Sequence, residues 1–112
     1  GARRLGAGLM SQQQRQRSGF DGGTEHRMEF VRATPKAMAV YREMCGDDSV
    51  KEKDLCVWLK AQGTCRRMAD GSRFFLVIYE QWRFVLCVSA AARNTDRDNP
   101  TEFCLVNVEW QN

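Results

Sequence analysis

The chain has one histidine, two prolines, and five cysteines with no CxxC or CxH spacing among them. Zinc sites of the usual kind use four clustered ligands drawn from close Cys and His pairs, so a structural metal is not expected. The odd count and wide spacing of Cys45, Cys56, Cys65, Cys87 and Cys104 also argue against a disulfide framework. Each stands among apolar residues, where a free thiol behaves as a small hydrophobe, so the set reads as buried thiols of a reducing compartment. His26 lies between Glu25 and Arg27, a polar surrounding that offers a catalytic base no rigid support. Cys45 falls at the end of an expected helix, where the negative end of the dipole disfavours a thiolate.

Other absences narrow the field further. No stretch approaches the roughly 20 apolar residues of a membrane-crossing helix; the longest apolar run, after residue 73, is broken by Glu80 and Arg83. Gly6-x-Gly8 and Gly22-Gly23 are not followed by a strand-to-helix turn, so neither is a phosphate loop. Asp96, Asp98 and Asn99 in NTDRDNP look like part of a calcium loop. They lack its glycine and its distal bidentate glutamate and read as a solvated connection. Asp47-Asp48 is explained by capping of the helix that follows. The expectation is a protein that is not an enzyme and holds no metal or cofactor.

The first twenty residues contain no acid and four arginines, Arg3, Arg4, Arg15 and Arg17, which makes this head +4. The net charge of the whole chain is +3, leaving residues 21–112 at −1. The folded part therefore lacks the broad basic face of a nucleic-acid binder. A length of 112 residues means one domain. It divides into a flexible basic tail over 1–26, ending in the joint FDGGTEH, and a domain over 27–112. The head reads as an unstructured tail, an organelle-targeting presequence, or a binding arm. The localisation expected is intracellular, in cytoplasm or nucleus, with organelle import as the alternative.

MEFVRA (28–33) has the weak alternation of an edge strand. In ATPKAMAVYREMCG, Thr34 suits an N-cap, Pro35 the first helical position and Gly46 a left-handed C-terminus. Ala37, Val40, Tyr41 and Met44 then share one face, giving a helix over 35–45. Ser49 and Glu52 have capping-box spacing ahead of a second helix over 50–62, with Leu55, Trp58, Leu59 and Gln62 in one stripe. The period then changes from 3.6 to 2. TCRRM and SRFFL flank Asp70-Gly71, a strong hairpin signal. The greasy run RFFLVIYEQWRFVLCVSA (73–90) is too long for one strand and must turn or bend near Glu80-Gln81. EFCLVNVEW is the last strand, Cys104, Val106, Val108 and Trp110 alternating with Phe103, Leu105, Asn107 and Glu109. The fold class is α+β: two short helices packed on an antiparallel four-stranded meander, with a short N-terminal strand.

Both faces of the 73–90 hairpin are apolar. With a two-residue turn, Phe75, Val77 and Tyr79 oppose Leu86, Phe84 and Trp82 on one face. Two short helices cover only one face of such a sheet, and an exposed apolar face marks an interface. The alternative is a barrel-like curl that buries it internally. The expected function is a non-enzymatic protein–protein interaction module or small subunit, homodimeric or part of a larger assembly. It would dock through Phe75, Tyr79, Trp82 and Phe84. The second expectation is a winged-helix-like nucleic-acid binder using Arg3, Arg4, Arg15, Arg17, Arg66 and Arg67.

Overall fold

The computed structural model describes residues 20–69 and 73–111, with side chains from residue 24 onward. The fold is α+β. The elements in chain order are β1 (Phe20–Arg27), β2 (Phe30–Ala33), α1 (Pro35–Cys45), α2 (Glu52–Ala61), β3 (Thr64–Met68), β4 (Phe75–Tyr79), β5 (Trp82–Val88) and β6 (Glu102–Trp110).

α1 is set by local chemistry. Thr34 Oγ1 accepts the Ala37 N–H at 3.1 Å, Pro35 occupies the first turn, and Gly46 ends the helix at φ 68°, a conformation a side chain would resist. Ala37 and Met38 are buried, with Val40, Tyr41 and Met44 packed beside them. α2 differs from its expected capping. Lys51 is its N-cap and supplies no side-chain bond. Ser49 is instead held by Asp47, whose Oδ1 accepts its N–H at 2.9 Å and its hydroxyl at 2.6 Å. Glu52 turns away to accept the Ala33 N–H at 3.1 Å and pair with Arg32 at 3.3 Å.

The sheet has six strands of mixed direction, in the order β1-β3-β4-β5-β6-β2, and is not a four-stranded antiparallel meander. FDGGTEHR, expected as a flexible joint, is a strand that pairs antiparallel with β3. The first nineteen residues of the head lie outside the described residues. β2 sits at the opposite edge, parallel to β6.

These two edge strands are consecutive in the chain, separated only by Met28 and Glu29. Arg27 to Phe30 can span about 11 Å at full extension, so the six-stranded sheet must curl until its edges come close together. The link is pinned on both sides. Met28 N–H donates to Gly63 O at 3.0 Å, and the N–H groups of Glu29 and Phe30 donate to Thr101 O at 2.8 and 3.3 Å. Met28 itself is buried.

β4 and β5 form the hairpin with a two-residue turn: Tyr79 pairs with Trp82, Val77 with Phe84, Phe75 with Leu86. The turn holds Glu80 at φ 54°, which costs a residue with a side chain about 1 kcal/mol. In β6 a register shift opposite Val85/Leu86 inserts Val106 between Asn107 and Leu105. The bulge reverses the expected alternation: Phe103, Leu105 and Val108 are the buried residues. One extra residue is enough to exchange inward and outward positions beyond it.

The helices and the curl enclose one face. Phe75, Phe84, Phe103, Leu59, Leu86 and Leu105 are fully buried there, and His26 joins them with its ring edge-on to Phe75 at 5.3 Å. The other face carries Ile78, Val85, Cys87 and Cys104, half-buried, with the ion pair Arg83–Glu109 at 3.6 Å. Cys45, expected buried, is exposed, because the helix turns its last residue away from the core.

The connection from Ser89 to Thr101 is organised by one carboxylate. Glu102 accepts the Asn94 and Arg93 N–H groups at 2.7 and 2.9 Å, which holds its pKa below the usual glutamate value. Because the folded-state pKa is depressed, the contribution is complete above the unfolded value and is lost as pH falls through the folded one. Protection of the Arg93 and Asn94 amides, measured against their intrinsic exchange rates at each pH, should therefore be lost on acidification below pH 4.5, the ordinary glutamate value. Glu102→Gln should show fast exchange at neutral pH, with the core amides unaltered.

Candidate docking site

The face chosen from the sequence as an interface is the enclosed one. Phe75 and Phe84 are 0% and 1% exposed and cannot anchor a partner in the folded chain. The reason is the curl: two short helices cover a strongly bent sheet where they could not cover a flat one. Tyr79 and Trp82, the other two expected anchors, sit at the rim of this face where the β4–β5 hairpin emerges. They adjoin Trp110 across the strands, since Tyr79 pairs with Trp82 and Trp82 with Trp110.

The result is a row of three aromatic side chains across β4, β5 and β6. Trp82 and Trp110 meet edge to face at 5.1 Å. Each helix braces the row from behind. Tyr41 of α1 lies 5.3 Å from Trp82, and Trp58 of α2 meets Tyr79 edge-on at 5.0 Å. Phe84 forms the floor, 6.0 Å from Trp82 and 5.4 Å from Trp58. Trp82 is held by neighbours on three sides and half-buried, whereas Tyr79 and Trp110 are 42% and 50% exposed. The Tyr41 hydroxyl is pushed up to about 12 by burial and by the neighbouring Cys45 thiol, so it stays uncharged at any physiological pH. The patch thus presents three large aromatic side chains, two of them exposed and each in contact with another ring.

Trp110, Trp58 and Tyr41 did not stand out as site residues in the sequence. Trp110 could be found only by aligning EFCLVNVEW antiparallel to the second half of the hairpin, which sets it beside Trp82.

The basic residues do not assemble. Arg66 and Arg67 project from opposite faces of β3. Arg66 pairs with Glu25 at 3.5 Å. Arg67 Cζ lies 4.7 Å from the Phe75 ring centre, and its guanidinium donates to Arg97 O at 3.2 Å. Arg3, Arg4, Arg15 and Arg17 lie outside the described residues. Among the described residues, no group of three or more His, Cys, Asp and Glu side chains could hold a metal ion, and no helix is long and apolar enough to cross a membrane. Comparison with family models, with curated proteins and with solved structures finds no match.

Proposed function

We propose that this chain is a non-enzymatic interaction module, or the small subunit of a larger assembly, that docks onto another protein or a second copy of itself. Its contact would be the aromatic row Tyr79–Trp82–Trp110. The observation that carries this reading is the pairing of two exposed aromatic rings with a braced, half-buried tryptophan between them. Tyrosine and tryptophan dominate interface hot spots, because they bury a large area at a low cost in side-chain entropy.

The double variant Tyr79→Ser/Trp110→Ser tests it. Both side chains are substantially exposed, so its thermal unfolding should stay close to that of the parent chain. Light scattering across a concentration series should show a dimer for the parent chain, and its dissociation constant should rise about 30-fold in the variant, the value for one hot spot. A parent chain that stays monomeric at every concentration points to a different partner, and capture experiments with the two proteins then make the same comparison. Equal association by both proteins would remove the aromatic row as the contact.

A further inference from the structure

We infer that the groove at the end of the curled sheet remote from the aromatic row is a binding site for a small phosphate monoester. It does not depend on the docking surface, since β5 alone sets about 20 Å between Trp82 at one end and Val88 at the other.

The floor of the groove comes from the ends of the strands. Phe75 opens β4, Val88 closes β5, and the buried Pro100 stands two residues before β6. The connection from Ser89 to Thr101 supplies the opposite wall through Asn94, Thr95 and Arg97. The space between them is about 430 Å³, within the range of small-ligand sites.

Arg67 is the centre of the site. It pairs with Phe75 across β3 and β4, and its guanidinium is held twice. Cζ lies 4.7 Å from the Phe75 ring centre, and an N–H donates to Arg97 O at 3.2 Å. These contacts hold the half-buried guanidinium in place without neutralising it. Arg73 and Arg97 line the same groove, so Arg67 is joined by these two rather than by Arg66, which lies on the opposite face. None of the three has a carboxylate ion-pair partner among the described residues. Asp96 is the one carboxylate in the lining, and its Oδ1 accepts the Asp98 N–H at 3.0 Å. Three positive charges against one negative leave the lining at +2, which complements the charge of a phosphate monoester at neutral pH.

The guanidinium chemistry favours phosphate, because a planar fork of N–H donors matches its oxygens. At the rim, Ser89 Oγ accepts the Ala91 N–H at 3.2 Å, which leaves its own O–H to donate. Val88 and Ala92, above Phe75 and Pro100, give the organic group of an ester apolar surface to cover.

The probe is phenyl phosphate, titrated into the isotope-labelled full chain and followed by two-dimensional NMR. Saturable shifts are expected at the amides of Arg67, Val88, Thr95 and Arg97. Inorganic phosphate should bind about tenfold more weakly, and phenol should produce no shifts there. Arg97→Gln should weaken phenyl phosphate by about tenfold. Its thermal unfolding should not change, since the side chain is exposed and the carbonyl that receives Arg67 remains. Arg67→Lys keeps the charge and removes the fork, and should also bind more weakly. Tyr79→Ser/Trp110→Ser should bind as the parent chain does. No saturable shift up to about 10 mM phenyl phosphate would overturn the inference. So would shifts centred elsewhere, equal binding by Arg97→Gln and the parent chain, or phenol or inorganic phosphate binding as tightly as the ester.

Discussion

Phe84→Ala should lower the stability of the fold by about 3–5 kcal/mol, the largest effect expected of any single substitution discussed. Phe84 is 1% exposed. It contacts Trp58, Tyr41 and Trp82 at centroid distances of 5.4, 6.2 and 6.0 Å, and it stands across from Val77 on β4 and Val108 on β6. Truncation would leave a cavity that these rings, already packed against one another, cannot collapse to fill. A domain of this size has roughly 5–13 kcal/mol in total, so the variant would be close to unfolding. In a urea titration the midpoint should fall by about 2 M. Phe30→Ala provides the contrast, since a half-exposed edge residue should cost under about 1 kcal/mol. An unchanged midpoint for Phe84→Ala would mean that this ring is not interior, and the docking role assigned to it from the sequence would return.

The thiols should separate by orders of magnitude in alkylation rate. Burial pushes Cys65 up to about 12 and Cys56 up to about 11. At pH 8 their reactive thiolate fractions are then on the order of 10⁻⁴ and 10⁻³, before any shielding by the surrounding core. Cys45 is exposed at the end of α1. Treatment of the native chain with iodoacetamide, followed by mass spectrometry, should label Cys45 first, Cys87 and Cys104 next, and Cys56 and Cys65 only on unfolding. Early labelling of Cys65 would show that β1 and β3 part readily, because that thiol lies under their pairing.

How much of this was legible in the sequence depended on how local the cause was. Thr34, Pro35 and Gly46 mark the ends of α1 by chemistry confined to a few residues, and α1 has those ends. The hairpin of β4 and β5 was readable for a similar reason, since its register follows from Glu80-Gln81 alone once a two-residue turn is assumed. β1 was not readable. FDGGTEHR has two glycines and little alternation, and it is a strand because the edge of β3 and the space beside Phe75 accept it, a tertiary cause with no local signal. The bulge at Val106 was equally silent, and it reversed half of the last strand. The site divides along the same line. Tyr79 and Trp82 were visible as aromatic residues in a greasy run, while Phe75 and Phe84 in that run could be told apart from them only by knowing where the sheet bends.

The two-residue link between β1 and β2 also orders events during folding. Neither strand can settle until its partner exists: β1 waits for β3, which follows both helices, and β2 waits for β6, the last strand of the described chain. The contacts that bring the two edges together join residues far apart in sequence. Their loop-closure entropy must be overcome before any stabilisation is gained, which places folding in the millisecond-to-second range typical of non-local topologies. On a ribosome, the seam would stay open, with the Val31 edge and the Cys65 side of the core uncovered, until Glu102–Trp110 had been synthesised and released from the exit tunnel.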